Sequence, residues 1–107
     1  MPHIRLRNVD PSLAKARAIL LVDRLTEAVG CERSWFTLEI LPIIPIDTGS
    51  GEPTRPFAEV LWFPRAPAVK KAVAGILAEE LRGASDYLTT VFFDLADGDY
   101  FENGEPI

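Results

Sequence analysis

The sequence repeats one pattern of apolar residues twice, and this repeat constrains the fold more than any other feature. A shift of 56 residues places apolar residues of the second half on apolar residues of the first half. The matched pairs are Ile4–Val60, Leu6–Trp62, Leu13–Val69, Ala16–Ala72, Leu20–Ile76, Leu21–Leu77 and Leu25–Leu81. In each half, alternation gives way to helical spacing and then to a second short apolar segment. The sequence therefore predicts an α+β (α/β) fold of two tandem βαβ units.

Turn and capping residues set the bounds of the first unit at 2–41. Asp10-Pro11 is an N-cap followed by a proline at the first helical position, so the helix begins there. Gly30 supplies its C-terminal stop, and a strand over 35–41 follows. Residues 42–56 are rich in Gly, Pro, Ser and Thr and are predicted to be a loop.

The second unit is predicted over 57–95, with Pro67 opening its helix, Gly83 closing it and a strand over 87–95 following. Asn103-Gly104 is a strong two-residue turn signal and predicts a short C-terminal hairpin over 99–107. The length of 107 residues corresponds to a single domain.

Two topologies satisfy this repeat. One is the ferredoxin-like split βαβ arrangement. The other is a pair of parallel βαβ units that form a four-stranded sheet with both helices on one face. Periodicity alone does not choose between them.

The strand alternation predicts one apolar sheet face, which includes Trp62 and packs on the helices, and one face of mixed character. The mixed face carries His3, Arg5, Arg7, Thr37, Glu39, Glu59, Leu61 and Phe63. Such a face suits an oligomer whose sheets face one another, with Arg5 or Arg7 paired to Glu39 or Glu59. The alternative is a solvated face with a few aromatic residues.

Composition excludes several classes of function. The chain has 16 acidic and 11 basic residues and a net charge of −5, so it lacks the basic clusters that bind nucleic acid or anionic membranes. One cysteine and one histidine leave no disulfide and no His/Cys metal cluster. No apolar run approaches the roughly 20 residues of a membrane span. We expect a cytoplasmic protein without a metal or cofactor.

Pro2 is the candidate for chemistry that remains. Removal of Met1 would expose a secondary amine, and apolar burial with a nearby cation would lower the pKa of that amine toward neutrality. Such a group can move a proton between carbon and oxygen as a general base and then as an acid. The single His3 is expected to be structural, and Cys31 to be a partly buried, inert thiol.

Four segments carry a resemblance to one bacterial family, which is catalogued as a domain of unknown function within the tautomerase superfamily. They are MPHIRLR at 1–7, WFTLE at 35–39, EVLWFPR at 59–65 and YFENG at 100–104. The superfamily includes 4-oxalocrotonate tautomerase and macrophage migration inhibitory factor. The resemblance spans nearly the whole chain in order. It implies a homotrimer with its sheets lining a central barrel, and a catalytic N-terminal proline at a subunit boundary.

The resemblance also implies site residues. Pro2 matches the catalytic proline, and Arg65 is the best-placed cation for a carboxylate or enolate. The lysine of the inhibitory-factor relatives falls at Cys31, so Arg33 is the nearest substitute. The residues implied to line the substrate pocket are Trp35, Trp62, Phe63, Tyr100 and Phe101, together with Arg33.

Three functions follow as hypotheses. The first is a trimeric tautomerase (an isomerase) acting on a small 2-oxo acid or a phenylpyruvate-like enol. The second is a non-catalytic tautomerase-fold protein that binds a ligand or a partner. The third is a ferredoxin-like binding module, which strand order would distinguish from the other two.

Overall fold

The computed structural model describes all residues, 1–107. The first unit contains β1 (His3–Arg7), α1 (Pro11–Val29) and β2 (Thr37–Leu41). The second contains β3 (Phe57–Trp62), α2 (Pro67–Leu81) and β4 (Thr89–Asp94). A hairpin of β5 (Phe101–Glu102) and β6 (Glu105–Pro106) follows.

The four long strands form one mixed sheet in the order β2-β1-β3-β4. Within each unit the two strands are parallel neighbours, and the two units meet through the antiparallel pair β1–β3. This arrangement is the pair of parallel βαβ units and not the ferredoxin-like topology. The predicted fold class is therefore confirmed.

Local sequence explains where α1 starts and stops. The Asp10 side chain accepts a hydrogen bond of 3.0 Å from the amide of Ser12, and Pro11 is the first helical residue. Gly30 ends the helix at a φ of 75°, with its amide donating to the Thr26 carbonyl. A side chain is strained at this φ, which explains the glycine.

The core lies between the sheet and the two helices, as the alternation predicts. From the sheet, Ile4, Leu6, Val60 and Trp62 are almost fully buried. The helices contribute Leu21, Leu25, Val73, Leu77 and Leu81. Neither helix combines the length and the apolar character needed to cross a membrane.

Two strand ends differ from the sequence-based bounds. Trp35 and Phe36 were expected in the second strand, but Arg33–Trp35 form a single 3₁₀ turn and β2 begins at Thr37. The predicted strand over 87–95 is shorter, because Asp86 adopts a left-handed φ of 54° and β4 begins at Thr89. The C-terminal hairpin forms as expected, with positive φ values at Asn103 and Gly104.

Candidate active site

A pocket lies at the edge of the sheet where β1 and β2 begin and β3 and β4 end. Its volume is about 370 Å³, within the range of small-molecule sites. The lining residues are Met1, Trp35, Phe63, Arg65, Tyr100, Glu102 and Ile107. Because β1 and β3 are antiparallel, the start of one strand and the end of the other meet at this edge.

The N-terminus forms part of the pocket. The terminal ammonium of Met1 donates a hydrogen bond of 3.0 Å to the carbonyl of Trp35. Partial burial lowers the pKa of this amine, and the positive charge of Arg65 lowers it further, while Cys31 and Glu102 act in the opposite direction. The surroundings of this end of the chain therefore lower the affinity of the amine for its proton.

Pro2 is buried directly behind Met1. Its carbonyl accepts a hydrogen bond of 3.2 Å from the amide of Thr37, which ties the residue to the start of β2. With Met1 present, the Pro2 nitrogen is a tertiary amide and has no basic lone pair. Removal of Met1 would vacate part of the pocket and place a secondary amine at its wall.

Arg65 is the one cationic side chain among the lining residues. Its Nη1 donates a hydrogen bond of 2.6 Å to the carbonyl of Phe63, and its guanidinium lies 5.5 Å from the ring of Trp62. These contacts hold the head of a long side chain in place. A tethered guanidinium can bind a carboxylate or an enolate oxygen through charge-assisted hydrogen bonds.

The hairpin supplies the far wall of the pocket. The amide of Ile107 donates to the carbonyl of Tyr100, and both side chains line the cavity. The Tyr100 ring packs edge-on against Phe63, with centroids 5.8 Å apart. Burial raises the pKa of the Tyr100 hydroxyl, and the charge of Glu102 raises it further.

Three of the residues predicted to line the site lie elsewhere. Trp62 is fully buried in the core, stacks on Phe92 with centroids 4.9 Å apart, and donates to Asp94. It points to the helix side because its strand alternates and Phe63, one residue on, takes the pocket side. The position of Trp62 on the helix side therefore follows from the strand period.

Arg33 and Phe101 also lie outside the pocket lining. The Arg33 guanidinium pairs with Asp23 at 2.7 Å and donates to the Ile19 carbonyl, both on α1. Phe101 alternates with Tyr100 along the hairpin and remains more than half exposed. The structure does bring together Trp35, Phe63, Arg65 and Tyr100, which the sequence proposed.

Sequence reasoning missed Glu102, Ile107 and the contact of His3 with Tyr100. The signal for Glu102 was present, because residues two apart on a hairpin strand share a face and Tyr100 was already a candidate. The pairing of Ile107 with Tyr100 also follows from a two-residue turn at Asn103-Gly104.

Comparisons with known proteins agree with this architecture. The structure of a domain of unknown function (DUF1904) from Sebaldella termitidis ATCC 33386 superposes with a TM-score of 0.89 at 30% identity, covering 100% of both chains. The structure of the F6 fused 4-OT wild type asymmetric trimer superposes with a TM-score of 0.76 at 18% identity, covering 98% of this chain and 95% of the other. The curated proteins give no match.

A third structure, of Pt0534 inactivated by 2-oxo-3-pentynoate, superposes with a TM-score of 0.74 at 9% identity, covering 98% of this chain and 96% of the other. At this identity the likeness concerns the fold. The chain is thus a tautomerase-fold protein. The family model described as "Domain of unknown function (DUF1904)" matches residues 1–106, and the chain belongs to that family.

Proposed function

We propose that the protein is a tautomerase that moves a proton between carbon and oxygen of a small 2-oxo acid or a phenylpyruvate-like enol. Pro2, freed by removal of Met1, acts as the general base, and Arg65 binds the carboxylate or the oxygen. The observation that carries this proposal is the meeting of the chain's terminal amine with a tethered guanidinium in one largely apolar pocket.

The pocket suits the proton transfer assigned to Pro2. Burial and the charge of Arg65 already lower the pKa of the amine at Met1, and Pro2 lies one residue deeper. A secondary amine starts from a higher pKa, so both effects act toward a free base near neutral pH. The free amine removes a proton from the carbon beside the carbonyl and then, as its conjugate acid, gives that proton to the oxygen; the same steps run in reverse when an enol is the substrate.

The rest of the pocket suits the proposed substrate class. Trp35, Phe63 and Ile107 present apolar surface that can cover an aromatic ring or a short carbon chain. Arg65 supplies the positive charge for a carboxylate or for the oxygen that becomes negative as the carbon loses its proton. No metal or cofactor has a role in this reaction as proposed.

The test begins with the intact mass of untagged protein expressed in bacteria. Loss of one methionine makes Pro2 a free amine, and turnover of phenylpyruvate enol is then compared in the native protein and in Pro2→Ala. We expect the variant to keep its fold while losing at least tenfold in turnover. Unchanged turnover in Pro2→Ala would remove Pro2 as the base.

A covalent probe tests the same amine independently of turnover. The proposed free amine would add to the electron-poor triple bond of 2-oxo-3-pentynoate, forming a new N–C bond while the amine proton passes to carbon. We expect the mass to rise by one probe molecule on the peptide that begins with Pro2. Pro2→Ala should react more slowly, and labelling elsewhere in the chain would contradict the assignment.

A second candidate function is ligand binding without catalysis. The specific observation in its favour is that Arg65 is the one cationic side chain in the pocket lining, whereas the lysine of the inhibitory-factor relatives falls at Cys31. Retention of Met1 in native material, with background turnover and measurable binding of a 2-oxo acid, would select this function.

We also propose that the protein assembles as a homotrimer through the mixed face of its sheet. Glu59 on this face pairs with Arg5 at 3.4 Å and with Arg7 at 3.2 Å within one chain. Phe93 on the same face is 42% exposed, and a partner subunit would bury its ring. Light scattering should give three times the 11.8 kDa chain mass.

A further inference from the structure

The single histidine joins the start of β1 to the C-terminal hairpin. His3 Nδ1 lies 2.6 Å from the Thr37 hydroxyl on β2, and His3 Nε2 lies 3.2 Å from the Tyr100 hydroxyl. The imidazole and phenol rings are 6.1 Å apart between centroids. Each ring nitrogen is therefore hydrogen-bonded to a hydroxyl group, and one of these hydroxyls is that of Tyr100, which lines the pocket.

A neutral imidazole carries one N–H. Its tautomer therefore decides whether the Tyr100 O–H is free to donate a hydrogen bond into the pocket. If Nδ1 holds the hydrogen, it donates to Thr37, and Nε2 accepts the phenol hydrogen. If Nε2 holds the hydrogen, it donates to the phenol oxygen, and the Tyr100 O–H is free to donate into the pocket. Thr37 can serve either tautomer, because a hydroxyl both donates and accepts.

The surroundings of His3 favour the second arrangement. Burial is the largest effect on the pKa of His3 and lowers it from its ordinary value, which favours the neutral ring near neutral pH. The negative charge of Glu102, which lines the same pocket, draws the phenol hydrogen toward the pocket and away from the imidazole, and a bound substrate oxygen takes the place of Glu102 as the acceptor. The phenol oxygen then remains to accept from Nε2.

We propose that Thr37, His3 and Tyr100 form a hydrogen-bonded chain in which the Nε2–H tautomer of His3 holds the Tyr100 hydroxyl as a donor to the substrate oxygen. Tyr100 contacts the substrate, while His3 and Thr37 are positioning residues. Thr37, His3 and Tyr100 change only their hydrogen bonds when substrate binds. The terminal amine transfers the proton to and from carbon. The identity of the substrate oxygen rests on the proposed function, whereas the tautomer and the hydrogen bonds among Thr37, His3 and Tyr100 do not.

The tautomer is measured directly by nitrogen NMR of protein labelled with ¹⁵N-histidine. His3 is the only histidine, so one pair of ring nitrogens reports the state without assignment. We expect a neutral ring near pH 7 with the hydrogen on Nε2, and a shift of the population toward Nδ1–H in Tyr100→Phe, which cannot accept from Nε2 while Thr37 can still accept from Nδ1. A native ring with its hydrogen on Nδ1, or no response to Tyr100→Phe, would overturn the proposal.

Kinetics test the link from His3 to the pocket. We expect Tyr100→Phe and His3→Leu each to lower kcat for phenylpyruvate enol by about tenfold while KM changes less than twofold, because the bond to oxygen strengthens in the transition state. His3→Gln keeps an amide donor and should recover part of kcat. Equal losses in His3→Leu and His3→Gln would overturn the positioning role.

Tyr87 provides the matched control, since it is the only other tyrosine and lies beside Arg55 on a different part of the surface. Tyr87→Phe should leave kcat unchanged.

If the native protein lacking Met1 shows no turnover, the proposed function fails while the NMR result still decides the chain of hydrogen bonds. Turnover in a protein whose His3 carries its hydrogen on Nδ1 would overturn the proposed hydrogen-bond arrangement and leave the proposed function standing.

Discussion

Ile4 on β1 lies directly opposite Val60 on β3, and the two residues occupy equivalent positions in the two repeats. Since equivalent residues of equivalent strands pair antiparallel, an approximate twofold axis passes between them. The same shift places Ala58 at the position equivalent to Pro2. Ala58 is buried within β3, so only the first unit can offer a terminal amine and each chain can hold one such site.

Ile4→Ala should destabilise the fold strongly, because Ile4 is 1% exposed at the centre of the sheet. Removing buried methyl and methylene groups leaves a cavity, and we expect a loss of about 2–5 kcal/mol in the free energy of unfolding. Urea denaturation measures it. Ile19→Ala, at a residue 74% exposed on α1, is the control and should stay within about 0.5 kcal/mol. Similar losses in both variants would contradict this packing.

The twofold relation explains how far the sequence predicted the fold. The repeat indicated two βαβ units, and the alternation separated the two sheet faces, because both signals are local. The pairing of β1 with β3 was not predictable from periodicity, since it joins residues 50 or more positions apart. Two topologies therefore stayed open until the strand order was known.

The site was predicted less completely for a physical reason. Alternation alone placed Trp62 on the helix side, and the structure agrees, whereas the resemblance suggested a pocket residue. Trp35 reaches the pocket from a 3₁₀ turn and not from a strand. The contact of His3 with Tyr100 joins residues 97 positions apart and depends on where the hairpin docks, which no local pattern encodes.

Glu80 should be the most sensitive charged residue on the helices. Its carboxylate is nearly buried and accepts from Arg17 at 3.2 Å and Arg24 at 2.9 Å, so it joins α2 to α1. Glu80→Gln keeps the shape but removes the charge that both guanidinium groups face. We expect a loss of about 1–3 kcal/mol in the free energy of unfolding by urea denaturation.

The adjacent Glu79 is the matched control for Glu80. It also pairs with Arg24, at 2.8 Å, but is mostly exposed to solvent. Because solvent screens exposed pairs, Glu79→Gln should change the free energy of unfolding by no more than about 0.5 kcal/mol. A larger loss in Glu79→Gln than in Glu80→Gln would show that burial does not set the strength of these pairs.

The stability of the protein should fall on acidification in a way that His3 controls. The folded state lowers the pKa of His3 from 6.5, chiefly by burial, so below that pH the unfolded chain binds more protons than the folded one. This contribution is fully present above about pH 6.5 and is lost progressively as the pH falls toward the lower folded value.

Urea midpoints measured at about pH 7.5 and about pH 5.5 bracket the start of this loss. We expect the native midpoint to fall and the midpoint of His3→Gln to fall less, since glutamine does not titrate. Carboxylates are common to both proteins, so their contribution cancels in the comparison. An equal fall in both would show that the histidine is as easily protonated in the folded chain as in the unfolded one.

Arg65→Ala should weaken binding of a 2-oxo acid, whereas Arg33→Ala should not. Arg65 lines the pocket and is tethered to the Phe63 carbonyl, while Arg33 is paired with Asp23 on α1. Loss of a charge-assisted bond costs about 1.5–3 kcal/mol, so we expect Kd to rise by about tenfold or more in Arg65→Ala. The fluorescence of Trp35, which also lines the pocket, can report binding of phenylpyruvate without any turnover. A rise in Kd for Arg33→Ala, with Arg65→Ala unchanged, would reverse the assignment of the binding cation.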